Sequence, residues 1–502
     1  MALILPLAVI LGYFIVDPLE PSSLTVLGLV LAALALPLMM QWHHPMLIFT
    51  WNAAMSPAFL PGTPPLWMLV AMIGLLISLL NRSVNANFRF INVPSITYAL
   101  VCLCVVVLVT AYFTGGIGSH IFGSTTFGGR RYFYTFMAVI GYFVLTSQKI
   151  PVHRAKLATG LFFLSALTSL VPDILGLAGN GTSFLYAIFP SDFTAVEAVS
   201  GESASSEMFR IFGLTLSSAG LLFGLLARYG IRGIFEPGKF WRVGLLAVAF
   251  GACLYSGFRS FLVLLVLAFG IQFFLEGLHR TRALAVTISV VVVGLGVVLT
   301  QAEKLPNVVQ RTLSVLPVKV STVAKLSAEG SSEWRMEMWK ALLPEIPKHL
   351  LLGKGYSIDS TEMYFSSDKG NRANESFHWA MVSGDYHNGP LSLLIPFGIW
   401  GVLAFGWFCV AALRYLYHNY QFGPPELRSV NTCLLSCFAA RVIFYLFVFG
   451  GFYADLFIFT GLIGLSVSLN GLPQETTGRP DAKLPSEEEL LADINRDRDD
   501  YP

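Results

Sequence analysis

One of the nine histidines in this sequence, His387, occupies a place where a side chain can act as a general base. It stands in a short polar segment just before Pro390, which suits the first turn of a helix, with Asn388 or Gly389 at the cap. An imidazole accepts a proton near neutral pH, and Asp385 is close enough in sequence to orient it. The alternative is a histidine that only hydrogen-bonds the loop at the start of that helix.

Arginines at the edges of apolar runs form a second group with a shared chemistry. A guanidinium group is planar and donates two parallel hydrogen bonds, so several together can hold a phosphate or diphosphate group. The alternative for any one alone is a side chain that reaches lipid headgroups, and for Arg441 a buried ion pair with Asp455. We predict that they converge on one phosphate site, with Arg441 as its weakest member. The group comprises Arg130, Arg131, Arg210, Arg259 and Arg441.

The composition places these residues in a membrane protein. The chain has 502 residues, of which 55% are hydrophobic and 12% are charged, whereas about a quarter of the residues of a soluble protein are charged. The net charge of +2 gives no basic field that would attract nucleic acid. All six cysteines lie in apolar runs without a metal-ligand pattern. We expect no disulfide framework, no metal, no cofactor and no nucleic-acid partner.

Apolar runs of about membrane-spanning length recur along the chain and predict an all-α polytopic membrane protein with about 14 (12–14) transmembrane helices. Helices 1–11 are predicted within residues 1–300 and helices 12–14 within 389–470. One large extracytoplasmic segment, 301–388, separates the eleventh from the twelfth, and a disordered acidic cytoplasmic tail covers 471–502. The runs lie near 2–16, 24–40, 45–60, 65–80, 97–113, 132–147, 155–172, 209–228, 241–256, 260–276, 284–300, 390–413, 432–450 and 455–470.

The loop charges predict the orientation of these helices. Lys and Arg collect in alternate loops, whereas residues 173–208 contain five acidic residues and neither Lys nor Arg. By the positive-inside rule the basic loops and both termini are cytoplasmic. His387 and all of the grouped arginines except Arg441, which lies near the middle of its span, then belong to the outer face. The basic loops carry Arg82, Arg89, Lys149, Arg154, Lys156, Arg228, Arg232, Lys239, Arg242, Arg280, Arg282, Arg414 and Arg428.

The segment 301–388 contains one clear amphipathic pattern. Ser332 can cap a helix over about 333–347 whose apolar face includes Trp334, Met338 and Trp339. Such a helix would lie along the membrane or cover the site. Gly353-Lys-Gly355 then predicts a turn, and it is not a phosphate-binding loop because no strand precedes it and its glycine pattern is incomplete.

Three motifs follow one another in order: Ser256-Gly-Phe-Arg-Ser260, then Glu333-Trp-Arg-Met-Glu-Met-Trp339 with Pro347 and Gly353-Lys-Gly355, then His387-Asn388 with Leu391 and Gly398-Ile-Trp-Gly401. In order, spacing and topology they resemble the O-antigen ligase and polymerase superfamily of bacterial inner-membrane proteins, over about residues 205–405. Members of that family often place an aromatic residue shortly after the His-Asn pair, where this chain has Gly389-Pro390.

The resemblance implies a metal-independent glycosyltransferase that moves a glycan from undecaprenyl diphosphate to an acceptor at the outer face of the inner membrane. It implies His387 and Arg259 as catalytic residues, and Arg259 and Arg210 as diphosphate ligands. From the arginine pattern described above, Arg130 and Arg131 are predicted to bind the same diphosphate. Asn388, Arg335, Trp334 and Arg441 are predicted to support the site. The expected partners are the lipid-linked donor, the bilayer, a glycan, lipid-core or protein acceptor, and other polysaccharide-assembly proteins.

Two other classes of protein remain open at this point. A secondary transporter or flippase of envelope precursors would usually show internal repeats and charges at the midplane of the membrane. Here no repeat is apparent, and apart from Arg441 the charged residues collect at the outer ends of the helices. A non-catalytic scaffold for envelope assembly would not need His387. The sequence also leaves open whether the chain is a ligase or a polymerase, and which sugar it transfers.

Overall fold

A computed structural model describes residues 12, 39–58, 60, 62–85, 89–115, 117, 128–178, 185–190, 211–314, 318–358, 380–381 and 384–472. These residues form helices joined by turns and contain no β-strand, which confirms the all-helical fold. In chain order the helices are α1 (39–50), α2 (Leu66–Val84), α3 (Pro94–Phe113), α4 (Gly129–Leu145), α5 (Ala155–Leu164), α6 (Leu170–Ala178), α7 (Phe212–Ile234), α8 (Phe240–Tyr255), α9 (Arg259–Leu275), α10 (Arg282–Gln301), α11 (Asn307–Leu313), α12 (Thr322–Leu342), α13 (Glu345–His349), α14 (Gly389–Phe422), α15 (Arg428–Phe447) and α16 (Phe452–Asn470).

Seven helical stretches among the described residues are long and apolar enough to cross a membrane, by length and composition. They are α2, α3, the stretch Val152–Leu175, α7, α14, Pro425–Phe447 and α16, and α8, α9 and α10 are shorter apolar helices. The span predicted near 45–60 differs, because α1 ends at position 50 and the chain through Pro57, Pro64 and Pro65 is irregular. The spans predicted at 2–16 and 24–40 and nearly all of the tail 471–502 lie outside the described residues.

The helices pack so that the predicted basic loops meet at one end. The Ile91 N–H donates to the Thr146 carbonyl at 2.9 Å, and the Ile150 N–H donates to the Ser468 carbonyl at 2.8 Å. The start of α15 also bonds to the end of α16 through two side-chain amides. The starts of α4, α9 and α14 lie toward the other end, which is called the His387 end below.

Helix α7 is interrupted near the basic end. Gly230 has φ 64° and ψ 175°, which no helix contains. The Glu276 carboxylate accepts hydrogen bonds from the Ile231 and Arg232 backbone N–H groups at 2.8 and 3.0 Å. Carbonyl groups before the break accept from the Ser429 hydroxyl. Side chains of two other helices therefore complete the backbone hydrogen bonding that the break opens.

Candidate functional site

His387 immediately precedes α14 in an uncommon backbone conformation. Its φ of 49° lies in the left-handed region that few non-glycine residues adopt. The Asn388 side-chain oxygen accepts a hydrogen bond from the Leu391 N–H at 3.0 Å, so Asn388 caps α14. The His387 Nδ1 atom lies 3.7 Å from Asp385 Oδ1, an ion-pair distance for a protonated imidazole rather than a hydrogen bond. The side chain is 28% exposed, which leaves it open to a substrate.

Aromatic rings hold the imidazole. The Trp334 ring centroid lies 5.5 Å from that of His387, and the Phe449 centroid lies 5.1 Å away. The Arg335 guanidinium lies over the Phe449 ring at 5.5 Å. Trp334 and Arg335, both predicted as supporting residues, are thus brought to His387. Phe449 was not predicted, because it is one of 40 phenylalanines and nothing in its sequence neighbourhood marks it.

Residues of α15 and α16 hydrogen-bond to the start of α14. The Tyr445 hydroxyl donates to the Gly389 carbonyl at 2.8 Å, and the Phe452 N–H donates to the Ser392 hydroxyl at 3.0 Å. A β-carbon at Gly389 would collide with the Tyr445 carbonyl oxygen. This close contact gives a structural reason for Gly389 at a place where members of the family often have an aromatic residue nearby.

Helix α12 begins earlier than the sequence predicted. It runs from Thr322 to Leu342 rather than over 333–347, and the Ser321 hydroxyl, not that of Ser332, accepts the capping hydrogen bond from the Ala324 N–H at 3.2 Å. The Ser332 hydroxyl donates to the Ala328 carbonyl one turn earlier, at 3.1 Å. Because a serine inside a helix can bond in this way, its presence did not mark a boundary.

The predicted apolar face of α12 packs on the protein and covers the segment before His387. Met338 and Leu342 are buried in one cluster with Tyr386, and the Trp339 indole N–H donates to the Tyr386 carbonyl at 2.9 Å. Burial raises the pKa of the Tyr386 phenol, an effect that Arg131 only partly opposes. Helix α12 therefore covers residues that directly precede the predicted base.

Arg131 lies beside the same segment. Its guanidinium carbon is 5.1 Å from the Tyr453 ring centroid and 5.7 Å from that of Tyr356. A β-carbon at Gly384, three residues before His387, would lie 3.7 Å from Arg131 Nη1. Residues 384–387 therefore have Arg131 at one end and the imidazole at the other, so a cation and a candidate base flank one short loop.

Arg259 contacts a different side of α12. Its Nη2 atom donates to the Ala328 carbonyl at 3.0 Å and to the Ser332 hydroxyl at 3.5 Å. Ser332 and Trp334 are two residues apart, so their side chains point to nearly opposite sides of a helix. The two residues predicted as catalytic, Arg259 and His387, therefore contact different sides of α12.

A polar pocket of about 760 Å³ lies on the Arg259 side of α12. Its lining combines carboxylates, two lysines and serine hydroxyls with the Arg259 guanidinium. Such a lining suits a charged or hydroxyl-rich ligand. The charged members are Arg259, Glu303, Lys319, Lys325, Glu329 and Glu333.

Arg441 is buried in an ion pair with Asp455. Its Nη1 atom is 3.8 Å from Asp455 Oδ1, and the two side chains are 11% and 13% exposed. This confirms the predicted alternative of a buried ion pair. Arg441 also lines an apolar cavity of about 310 Å³ together with Trp51, Trp67 and Phe457.

The remaining arginines divide as follows. Arg130 is exposed and donates to the Tyr134 hydroxyl at 3.3 Å, and Arg210 lies outside the described residues. Sequence reasoning missed Arg311, which is only 4% exposed and donates from Nη1 to the Gly257 carbonyl at 3.3 Å. Arg311 thus supports the turn that presents Arg259. No apolar run surrounds it, so the criterion that selected the other arginines passed over it.

The fold and the site define a polytopic α-helical membrane protein with a charged site at one end of its helices. Residues 244–406 match the family model described as O-antigen ligase, which confirms the predicted resemblance to the O-antigen ligase and polymerase superfamily. The match includes Arg259, all of α12 and His387, and α1 to α7 lie before it. A comparison with curated proteins gives no match. Within the described ranges no three His, Cys, Asp or Glu side chains are grouped to hold a metal ion.

Proposed function

We propose that this protein transfers a glycan from undecaprenyl diphosphate to an acceptor hydroxyl at the His387 end, as an O-antigen ligase or surface polysaccharide polymerase. The observation that carries the proposal is His387 itself, partly exposed before α14 within the family match, beside Asp385 and in a short loop whose other end lies near Arg131. Side chains held in unusual backbone conformations cluster at functional sites.

The chemistry needs one base and fixed positive charge. The acceptor oxygen attacks the anomeric carbon, the bond from that carbon to the diphosphate oxygen breaks, and the diphosphate leaves with the bonding electrons. His387 takes the proton of the acceptor hydroxyl. Fixed guanidinium groups stabilise the negative charge that develops on the leaving diphosphate. If this is a single displacement, the anomeric configuration is inverted.

We assign the diphosphate to arginines at this end. Arg131 and Arg335 lie on the His387 side of α12, and the resemblance adds Arg259 and Arg210. Transfer is proposed to need no metal ion, so purified protein is expected to remain active in excess chelator. Activity that chelator abolishes and magnesium or manganese restores would contradict this.

The His387 end is proposed to face outward across the bacterial inner membrane, with the basic loops and both termini in the cytoplasm. The clustering of the basic loops at one end supports this orientation. A cysteine introduced at Ser366 should react with an impermeant reagent in cells whose inner membrane is intact. Labelling only after that membrane is permeabilised would reverse the orientation.

Replacement of His387 tests the proposed function directly. His387→Asn removes the base but keeps a residue that tolerates a positive φ, and His387→Ala provides a second removal. We expect transfer of the native lipid-linked donor to fall about 10²–10⁴-fold in both variants. Binding of the donor to the purified protein should persist.

His349→Ala is the matched control, because His349 is a partly exposed histidine on α13, which packs against α14. It should transfer at the wild-type rate. Near-normal product from both His387 variants would remove His387 from the mechanism and with it this assignment of the site.

A further inference from the structure

Helix α14 is broken within its membrane-spanning length, and the break is completed by another segment. Gly398 has φ 63° and ψ −164°, and Pro396 has no N–H to donate. The Lys354 and Gly355 N–H groups donate to the Ile395 and Pro396 carbonyls at 2.8 and 2.9 Å. Irregular backbone at membrane depth is tolerated only where protein or water satisfies it, and here a turn of the chain does so.

Carbonyl groups just before this turn accept further hydrogen bonds. The Ile399 N–H, just after the break, donates to the Leu350 carbonyl at 2.7 Å, and the Thr110 hydroxyl donates to the Leu352 carbonyl at 3.1 Å. The Lys354 and Gly355 N–H groups therefore point into α14, and the Gly353 N–H donates to the His349 carbonyl at 2.9 Å. None of the three is available to a phosphate group, in agreement with the prediction that Gly353-Lys-Gly355 is not a phosphate loop.

The other side of the turn contacts the start of α4, the helix that presents Arg131. The Tyr356 N–H donates to the Tyr132 hydroxyl at 2.8 Å. A β-carbon at Gly128, which caps α4, would collide with the Tyr356 carbonyl oxygen. The Tyr356 ring contacts Phe397 in the break of α14, at 5.1 Å between centroids, and lies under the Arg131 guanidinium.

The glycines of the turn are required by this double contact. A β-carbon at Gly353 would collide with the Pro396 carbonyl oxygen, and one at Gly355 would collide with the Thr114 hydroxyl. Both have positive φ, 86° and 74°, which a larger residue adopts only with strain. The turn fits because neither glycine carries a side chain.

We infer that the turn Gly353–Tyr356 is a positioning element that sets the distance between Arg131 on α4 and His387, which directly precedes the cap of α14. It bonds both to the start of α4 and to the break in α14. The inference rests on the proposed function, because it concerns the geometry between the diphosphate ligand and the base. Positioned groups lose about 10²-fold in rate when they are misplaced by 1 Å.

Tyr132→Phe tests the inference with the smallest change, because it deletes the one oxygen that accepts from Tyr356. We expect kcat for transfer from the native lipid-linked donor to fall about 10- to 100-fold. The KM for that donor should change less than threefold, because each half of the site still binds. Gly355→Ala should lower kcat by at least about 100-fold.

Glycine controls separate position from general stability. Gly330→Ala on α12 and Gly406→Ala in the second half of α14 introduce methyl groups with no atom within 4 Å, so both should transfer like the wild type. A wild-type kcat in Tyr132→Phe and Gly355→Ala, with the His387 variants inactive, would overturn the inference alone. Active His387 variants would instead overturn the proposed function.

A reversible cross-link provides a rescue that a merely structural role would not show. A β-carbon built on Gly115 lies 3.8 Å from the Ser357 β-carbon, within the range of about 3.5–4.5 Å that disulfides need. Gly115→Cys with Ser357→Cys is therefore added to Tyr132→Phe. Gly115 has φ 99°, so a side chain there is strained. The oxidised and reduced forms of that one protein are compared because both carry this strain. Oxidation should restore most of the lost kcat, whereas oxidation of Tyr132→Phe alone should not. An unchanged or lower kcat on cross-linking would contradict a positioning role.

Discussion

Two membrane helices are interrupted by a glycine of positive φ, and different chemistry repairs each interruption. In α7 the exposed backbone groups around Gly230 bond to side chains of Glu276, Gln272 and Ser429. In α14 the groups around Gly398 bond to main-chain amides and a carbonyl of residues 350–355. The two breaks lie near opposite ends of α15, which spans about 30 Å at 1.5 Å per residue.

Hydrogen bonds that complete a broken helix can also position residues of neighbouring elements. Glu276 comes from the end of α9 and closes the break without linking a third element to a reactive group. The turn that completes the break in α14 also bonds to α4, so by our inference it fixes Arg131 relative to His387. We therefore expect a substitution at Gly398 to impair transfer strongly. A substitution at Gly230 should lower only the stability of the fold.

The largest effect is expected from Gly398→Ala. A β-carbon there would lie 2.8 Å from both the Leu350 and the Leu351 carbonyl oxygens, and these backbone atoms cannot swing away. Transfer per correctly folded molecule should fall at least about 100-fold. Gly230→Ala is the matched change, because its β-carbon would meet only the movable end of Glu276 at 2.9 Å. Equal activity of the two purified variants would erase the proposed difference between the breaks.

The next largest effect is expected from substitution of Arg259, whose hydrogen bonds are to α12 rather than to the turn Gly353–Tyr356. Arg259→Ala should weaken retention of the lipid-linked donor, and Arg259→Lys should restore little, since an ammonium group lacks the planar fork. Donor binding and kcat are measured separately on purified protein. Ser332→Ala removes the longer of the two hydrogen bonds from Arg259 to α12 and leaves the one to the Ala328 carbonyl. Intact donor binding with a reduced kcat in all three variants would show that Arg259 acts by holding α12.

Glu276→Gln should affect stability more than activity. The substitution keeps the shape of the side chain but replaces the carboxylate, whose two oxygens accept from two backbone N–H groups, with a neutral amide. The free energy of unfolding should fall by about 1–3 kcal/mol. The midpoint of thermal unfolding in detergent should fall, while transfer per folded molecule stays within about twofold of wild type. Ser429→Ala should give a smaller decrease in the midpoint. A selective loss of transfer in Glu276→Gln would mean that the basic end also sets the site.

Deletion of the chain from Gly478 onward should change least. The acidic tail is predicted at the basic end, away from His387, so transfer and membrane level should match the full chain. Product analysis in cells and labelling of a cysteine at Ser366 would follow activity and orientation together. Loss of transfer with unchanged orientation would show that the tail takes part in the reaction.

Periodicity and composition predicted most of the helices, because a lipid environment leaves a long apolar run little choice of structure. They did not predict the breaks at Gly230 and Gly398, since glycine within an apolar run is also common in unbroken membrane helices. Asp455 was found as a partner of Arg441 because a buried charge needs one. The contact between Arg259 and α12 depends on packing between segments about 70 residues apart. Local sequence patterns do not encode such packing.

The order of synthesis gives the turn a further consequence. Residues 350–355 leave the ribosome before the carbonyls of Ile395 and Pro396 that they will satisfy. In lipid those carbonyls would each be unsatisfied at a cost of several kcal/mol until the turn docks. The first half of α14 can therefore settle only beside a segment that has already been placed. The site at His387 is thus completed during membrane assembly. A chain in which residues 350–355 had not docked on α14 would span the bilayer without a complete site.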